Sequence, residues 1–152
     1  MLIDPETEAK MALHPPIPVA DQLSAPFWAG VRAGKLVLQR CADCQQLQFP
    51  PDATCESCSS TTLVFEEVSG RGTVHSYSLT VSGARHPYFQ SITPYMIGHV
   101  ELEEQPGLLM CSNFPGAAFE DIYVGAPVEV EFQTIAPGAI IPQFRLTGTR
   151  ES

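Results

Sequence analysis

Four cysteines constrain this chain more than any other feature. Cys41 and Cys44 form one C-x-x-C pair, Cys55 and Cys58 form a second, and ten residues separate the pairs. Each pair can fold as a tight knuckle that directs two thiolates to one point. Two such knuckles make a tetrahedral four-sulfur site for Zn²⁺ or a single iron ion, and two disulfides are the alternative. A closed four-sulfur site leaves no open coordination position, so a metal there would support structure rather than catalysis.

Length and composition favour one main domain with an appendage. The chain has 152 residues, of which 44% are hydrophobic, and single domains commonly contain about 100–200 residues. No segment approaches the roughly 20 apolar residues of a membrane-spanning helix. The N-terminal segment carries acidic side chains where a secretion signal would carry basic ones. These features predict a cytoplasmic protein without a membrane segment, and reducing conditions there favour metal-bound thiolates over disulfides.

The charge balance argues against nucleic acid as a partner. The chain has 17 acidic and 8 basic residues, which give a formal net charge of -9. A surface of this sign repels phosphate at long range, whereas nucleic-acid binding draws much of its affinity from phosphate neutralisation. Arg32, Lys35 and Arg40 lie close together in the sequence and could form a local basic patch. The composition therefore disfavours this class of function without excluding it.

Before the cysteines, the sequence predicts an extended arm and then a short helix. Residues 1–20 are rich in proline and have no periodic pattern, which indicates an arm that is at least partly disordered without a partner. Ser24 can cap a helix that has Pro26 in its first turn, and Gly34 can end it.

The predicted helix carries a partly aromatic face. Phe27 and Val31 fall on one side, and Trp28 lies beside them. Because a helix of this length is unstable in isolation, that face must pack on something. It either packs on the chain's own domain or binds a partner subunit, and the second alternative makes Phe27, Trp28 and Val31 candidate partner-binding residues.

After the helix, every strong pattern is of the β type. Residues 35–40 and 61–70 flank the cysteine pairs as short strands, so residues 35–66 predict a small ribbon closed by metal. Five further strand-like segments are bounded by Gly or Pro: 72–83, 95–104, 107–114, 126–135 and 140–148. Five short strands suggest a small barrel or a sandwich, and five is the strand number of an OB-fold.

Seven segments occur in an order that is typical of a known family: PFWAGVRAGKLVLQRCADC, FPP, CESC, EEVSGRGTVHSYSLT, PYMIGHVELEE, VGAPVEVEF and IPQFRLTG. Over roughly residues 21–148, the chain therefore resembles small bacterial and archaeal proteins that join an N-terminal helix and a rubredoxin-like zinc ribbon to a C-terminal OB-fold. The resemblance implies a mainly β fold with an arm and helix at 1–34, a zinc ribbon at 35–66 and a five-stranded barrel at 67–152. Gln45 and Ser59 stand where the family often has glycine, so they must adopt tight-turn conformations.

The resemblance also implies an accessory role in acyl-CoA chemistry. Such proteins are typically bound to thiolase-like enzymes, aldolases or hydratases, including enzymes of lipid and steroid breakdown, and those partners carry the catalytic residues. The expected function is a non-catalytic scaffold subunit with structural zinc, whose contact with acyl-CoA stays open. The alternatives are an OB-fold protein that binds nucleic acid and a rubredoxin-like electron carrier with iron in the cysteine site.

No catalytic arrangement can be recognised in the sequence. Cys111 lies in a strand-like segment without a base beside it, which predicts a buried structural cysteine. The irregular segment 83–95 is a candidate binding loop, because OB-folds often use loops for ligands. An arginine there could bind a phosphate of CoA and an aromatic ring could contact its adenine, or the group could contact a partner protein. The candidate residues, with one more arginine between two glycines, are Arg71, Arg85, His86, Tyr88 and Tyr95.

Overall fold

The computed structural model describes residues 13–148, so the first part of the predicted arm, residues 1–12, lies outside the described residues. Residues 13–20 contain no helix or strand. The helices are α1 (Ala25–Arg32), α2 (Pro87–Ile92) and a 3-10 turn at Phe119–Asp121; the strands are β1 (Val37–Cys41), β2 (Leu47–Gln48), β3 (Leu63–Glu67), β4 (Arg71–Thr80), β5 (Tyr95–Leu102), β6 (Leu109–Ser112), β7 (Pro127–Ala136) and β8 (Ala139–Leu146). None of the helices between residues 13 and 148 has the length and apolar character needed to cross a membrane.

Helix α1 is capped by Asp21 rather than by the predicted Ser24. The Ser24 side chain makes no capping hydrogen bond to the helix. Instead, Ser24 N donates to Asp21 Oδ1 at 2.7 Å, and Asp21 N donates to Ser24 Oγ at 3.0 Å, the reciprocal pattern of a capping box. Ser24 Oγ also donates to Asp21 Oδ1 at 2.8 Å, and this hydrogen bond, followed by the one from Ser24 N, lowers the pKa of Asp21. Gly34 follows the helix with a φ of 75°, so the predicted helix end is confirmed.

The strands form two antiparallel sheets. The first has the order β2-β1-β3, and the second has the order β6-β5-β4-β7-β8. The three-stranded sheet is the predicted ribbon, and the five-stranded sheet curls into a nearly closed barrel, which confirms the OB-fold expectation over the sandwich. The short β2, α2 and the 3-10 turn were not predicted, because each is too short to produce a periodic pattern.

Side chains close the barrel where its two edge strands meet. In the pairing of β7 with β8, the Phe144 N–H points away from β7. It donates to Ser112 Oγ at 2.9 Å, and Asn113 N donates to Gln143 Oε1 at 2.8 Å. Ser112, Gln143 and Phe144 are all buried. A buried serine and a buried glutamine therefore replace the backbone ladder that a fully closed barrel would have.

One hydrophobic core runs through the ribbon and the barrel. It joins Phe27 of α1 and Leu38 of β1 to Val100, Val128 and Phe144 of the barrel strands. The ribbon is therefore packed on the barrel, and the two sheets share buried apolar surface rather than folding around separate cores.

A side-chain clamp fixes the ribbon to the barrel. Gln105, in the turn between β5 and β6, accepts a hydrogen bond from Leu47 N and donates one to Leu47 O, each at 2.8 Å. Its amide thus acts as the missing neighbour of the two-residue strand β2. Leu47 is 1% exposed, so its backbone has little access to water in place of this partner.

Cys111 is exposed, and the prediction that it would be buried is wrong. Alternation along β6 turns Met110 and Ser112 inward and Cys111 outward. The strand-like segment and the lack of a neighbouring base suggested a buried structural cysteine, but neither feature shows which face of the strand Cys111 occupies.

Candidate metal centre and barrel mouth

The two cysteine pairs form matching knuckles at one end of the ribbon. Strand β1 ends at Cys41, and Gln45 N donates to Cys41 O at 2.9 Å; in the second knuckle, Ser59 N donates to Cys55 O at 2.9 Å. Gln45 has a φ of 67° and Ser59 a φ of 63°. The prediction that these two residues adopt a turn conformation usually given to glycine is confirmed.

Backbone N–H groups favour the thiolate form of the first cysteine in each knuckle. The pKa of Cys41 is lowered to about 6, chiefly because Cys44 N donates to Cys41 Sγ at 3.5 Å. The pKa of Cys55 is also lowered, first by the Cys58 N–H. For Cys58, a backbone N–H again lowers the pKa, but the neighbouring sulfur of Cys41, burial and the other two thiols outweigh it and raise the pKa to about 12. Two of the four groups thus favour the deprotonated state that metal binding requires.

The four sulfur atoms are spaced as ligands of one metal ion. All four lie within 4.8 Å of one another, with 3.5 Å between Cys41 and Cys58 and 3.6 Å between Cys44 and Cys55. Around a tetrahedral Zn²⁺ with bonds of about 2.3 Å, sulfur atoms lie about 3.8 Å apart. The residues therefore fit a tetrahedral metal, and all four are free thiols rather than members of disulfides.

A buried pair of glutamines holds the segment between the knuckles. Gln48 Nε2 donates to Gln39 Oε1 at 2.8 Å, and the two amides bind the loop backbone through Asp52 N, Asp52 O and Glu56 N, each at 2.9 Å. Gln39 and Gln48 are only 4% and 2% exposed. They position the second knuckle against the first, and nothing in the sequence marks this role beyond their place beside the cysteines.

Helix α1 does not present its whole aromatic face to solvent. Phe27 and Val31 are 3% and 1% exposed and belong to the chain's own core, whereas Trp28 is half-buried beside them. Phe27 contacts the rings of Trp28 and Phe49, with centroids 4.9 Å and 5.3 Å away. Two of the three candidate partner residues are thus core residues in this structure, and only Trp28 keeps surface for a partner.

The predicted binding loop contains a helix and an aromatic cluster. His86 caps α2, because Tyr88 N donates to His86 Nδ1 at 3.1 Å. Phe89 lies at the centre of the cluster, with its ring 5.3 Å from that of Tyr88, 5.4 Å from that of Tyr95 and 5.8 Å from that of His86. Arg85 is exposed beside them. The structure therefore brings together four of the five candidate loop residues.

These aromatic residues lie at an open end of the barrel. Two cavities of about 360 Å³ and 280 Å³ flank Tyr88 and share Tyr88, Asn113, Gln133 and Gln143 in their linings. We call the two cavities together the mouth groove. Tyr95, Phe114 and Phe119 line the larger cavity, and Phe89, Ile135 and Ile141 line the smaller one.

Arg71 lies apart from that group. It borders a different cavity, of about 440 Å³, with Glu101, Glu103 and Glu129. Its guanidinium makes an exposed ion pair with Glu103 at 2.9 Å, and such pairs contribute little to stability. The sequence grouped Arg71 with the loop, but the structure does not bring it there.

The fold and the cysteine site define a protein that joins a metal-binding ribbon to an OB-fold barrel. The model of the ChsH2 rubredoxin-like zinc ribbon domain matches residues 28–64, and that of the ChsH2 C-terminal OB-fold domain matches residues 65–133. A DUF35 domain-containing scaffold protein of Methanocaldococcus jannaschii is 34% identical over 102 residues, which cover 66% of this chain and 69% of that protein. The chain belongs to this family of DUF35 zinc-ribbon and OB-fold proteins.

Two further similarities extend over most of the chain. A probable enoyl-CoA hydratase alpha subunit of Thermomonospora curvata is 33% identical over 140 residues, which are 92% of this chain but 42% of that protein. A solved structure described as an Ltp2-ChsH2(DUF35) aldolase is 32% identical, covers 86% of this chain and 99% of the compared chain, and has a TM-score of 0.75. The chain thus spans less than half of the hydratase subunit and nearly all of the compared chain in the aldolase structure.

Proposed function

We propose that this chain is a non-catalytic accessory subunit of an enzyme complex in acyl-CoA metabolism, and that it binds a thiolase-like, aldolase or hydratase subunit. The observation that carries the proposal is the similarity to the Ltp2-ChsH2(DUF35) aldolase, which covers 99% of the compared chain. The names of the scaffold relative and of the hydratase-subunit relative support it. The closed four-sulfur site is consistent with it, because such a site leaves no position for a substrate.

In this proposal the cysteine site holds Zn²⁺ as a structural ion in a cytoplasmic protein. Four thiolates fill a tetrahedral coordination sphere, and the ion would join the two knuckles that frame the ribbon. Elemental analysis should give one zinc per chain, and the protein should be colourless. One iron per chain with a thiolate-to-iron absorption band would instead support the electron-carrier alternative.

Trp28 is the partner-binding residue that α1 still offers. It is half-buried, and it lies on the same helix as the core residues Phe27 and Val31. Tryptophan is enriched among the residues that contribute most to protein interfaces, because one rigid ring buries a large area. A partner that covers the exposed part of this ring would also touch a helix fixed to the ribbon.

The loop around α2 is the proposed place for contact with CoA or with the partner near its CoA site. Arg85 is exposed and can bind a phosphate, while Tyr88 and Tyr95 offer ring faces beside it. His86 is already used as the cap of α2, so its part in this contact is to hold Tyr88 in place. Arg71 borders a separate cavity and is left out of this contact.

Co-purification tests the proposed function. The chain should form a stable complex with a thiolase-like, aldolase or hydratase subunit encoded beside it, seen as co-elution in size-exclusion chromatography with a mass measured by light scattering. A folded chain that stays alone with each such subunit would contradict the proposal.

Two variants then locate the interface. Trp28→Ala should weaken binding at least tenfold, a loss of about 1.4 kcal/mol, while Leu23→Ala, which removes another exposed apolar side chain near α1, serves as the matched control. If both variants bind as the unchanged chain does, Trp28 is not part of the interface. Arg85→Ala should leave complex formation intact and weaken retention of CoA by the complex, and unchanged retention would contradict the proposed CoA contact.

A further inference from the structure

The mouth groove is lined by neutral side chains only. The residues that border its two cavities are aromatic, aliphatic, proline or methionine, apart from the three amides Asn113, Gln133 and Gln143. No Asp, Glu, Lys or Arg borders either cavity among the described residues, although the chain has 25 such residues, 17 acidic and 8 basic. The groove therefore suits an uncharged occupant with an apolar body and amide groups, rather than a phosphate.

The smaller cavity is already bordered by a segment of this chain. Pro15, Pro16 and Pro18 of the arm line it together with Tyr88 and Phe89. The arm then continues to a cavity of about 130 Å³ that Ile17 and Pro18 share with Trp28. A proline-containing segment without helix or strand thus lies along one side of the groove and reaches the only tryptophan of the chain.

The arm borders these cavities through proline and isoleucine side chains. Among residues 13–148, the one hydrogen bond of this segment is local, from His14 Nδ1 to Pro15 O at 2.8 Å. Ile17 and Val19 remain 46% and 89% exposed. Aromatic grooves commonly recognise extended proline-containing segments in this way, because the preformed chain loses little entropy on binding. An occupant attached so lightly can be exchanged.

We propose that the mouth groove is a docking site for an extended, uncharged, proline-containing segment of a partner protein, and that the arm of this chain occupies part of that site until such a segment replaces it. The amide of Gln133 borders the smaller cavity and can bind the backbone of the segment, whereas the amide of Gln143 is already used in the barrel seam. The rings of Tyr88 and Phe89 pack on the prolines of the segment. The proposal does not depend on the proposed acyl-CoA function, because it assigns Tyr88 to contact with the partner protein rather than with CoA and holds for a partner that uses no acyl-CoA.

A labelled peptide with the arm's own sequence, residues 12–20, tests this site in the full-length chain. The arm competes with the peptide as a tethered ligand, with an effective concentration of about 1 mM. If the arm and the peptide each bind the groove with a Kd of about 0.1 mM, release of the arm should lower the apparent Kd of the peptide about tenfold. The variant with Pro15→Ser, Pro16→Ser and Pro18→Ser together should therefore bind the peptide about tenfold more tightly than the unchanged chain. Fluorescence anisotropy measures the binding, and quenching of Trp28 by acrylamide should increase when the arm leaves.

Peptide and groove controls decide the outcome. A peptide with its three prolines replaced by serine should not bind. Tyr88→Ala in the arm variant should abolish peptide binding, whereas Ile97→Ala, on the outer face of β5, should leave it unchanged. Gln133→Glu puts a charge in the groove and should also weaken peptide binding, so it gives a second test if Tyr88→Ala fails to fold. Equal peptide affinity with and without the arm prolines, equal binding of the serine peptide, or unchanged binding by the folded groove variants would overturn the proposal.

Discussion

Gln105 gives the sharpest test of how the ribbon is held on the barrel. Gln105→Ala removes two hydrogen bonds of 2.8 Å to the backbone of Leu47, a residue that is only 1% exposed. An unsatisfied buried N–H or C=O costs about 1–3 kcal/mol. Because Gln105 itself is half-buried and water can enter when its side chain is removed, we expect the free energy of unfolding to fall by about 2 kcal/mol, near the lower end for two groups.

Two measurements check this expectation. Urea unfolding followed by circular dichroism gives the loss in free energy of unfolding, and for a chain of this length about 2 kcal/mol corresponds to a fall of roughly 4–8 °C in Tm. Hydrogen exchange then reports the site directly: the Leu47 amide should exchange faster in Gln105→Ala, while amides paired between β4 and β5 should change only with global stability.

Gln46→Ala is the matched control. Its side chain is exposed and makes no hydrogen bond among residues 13–148, so this change should stay within about 0.5 kcal/mol. If Gln105→Ala costs no more than Gln46→Ala, or if Leu47 keeps its protection against exchange, the clamp does not hold the ribbon and the reasoning fails.

The remaining predictions concern the barrel seam, the second knuckle and the cap of α1. Ser112→Ala leaves a buried backbone N–H of β8 without its acceptor and should cost about 1–3 kcal/mol in urea unfolding, whereas Ser78→Ala, on an exposed strand position, should cost almost nothing; equal costs would contradict the seam. Ser59→Gly should raise the free energy of unfolding by about 0.5–1 kcal/mol, because glycine adopts the positive φ of this position without strain, and Ser57→Gly, at an ordinary φ, should lower it. A lower free energy of unfolding in both variants would contradict backbone strain at Ser59. The carboxyl of Asp21, which caps α1, has a lowered pKa, so the cap should be intact above pH 3.8 and lost as the pH falls through the lowered pKa. A helix signal in Asp21→Asn with the same acid dependence as in the unchanged chain would contradict this.

The main architecture could be predicted because it follows from strong local patterns. The spacing of the four cysteines indicated one metal site, and alternation bounded by Gly and Pro placed all five barrel strands to within a few residues. The positive φ of Gln45 and Ser59 could also be predicted, since tight knuckles require that conformation whichever residue supplies it.

The contacts that join these elements could not be predicted, since they depend on long-range packing. Gln105 and Leu47 are 58 residues apart, and nothing local marks that glutamine as the neighbour of a strand. The contact made by α1 could not be predicted for the same reason. Periodicity shows that Phe27 and Val31 share a face, but only the packed core shows whether that face contacts the chain itself or a partner. The prediction for Cys111 was wrong for a related reason, because a strand-like segment does not by itself reveal which of its faces is inward.

In the proposed function, the ribbon with its bound metal supports a subunit that binds an enzyme. The most direct test measures metal content and affinity for the co-purifying enzyme subunit in the same samples of Cys41→Ser, with Cys111→Ser, an exposed cysteine outside the site, as control. We predict that Cys41→Ser loses the metal and at least tenfold in affinity, about 1.4 kcal/mol, while Cys111→Ser keeps both. A Cys41→Ser chain that lacks metal and still binds the enzyme with unchanged affinity would contradict the claim.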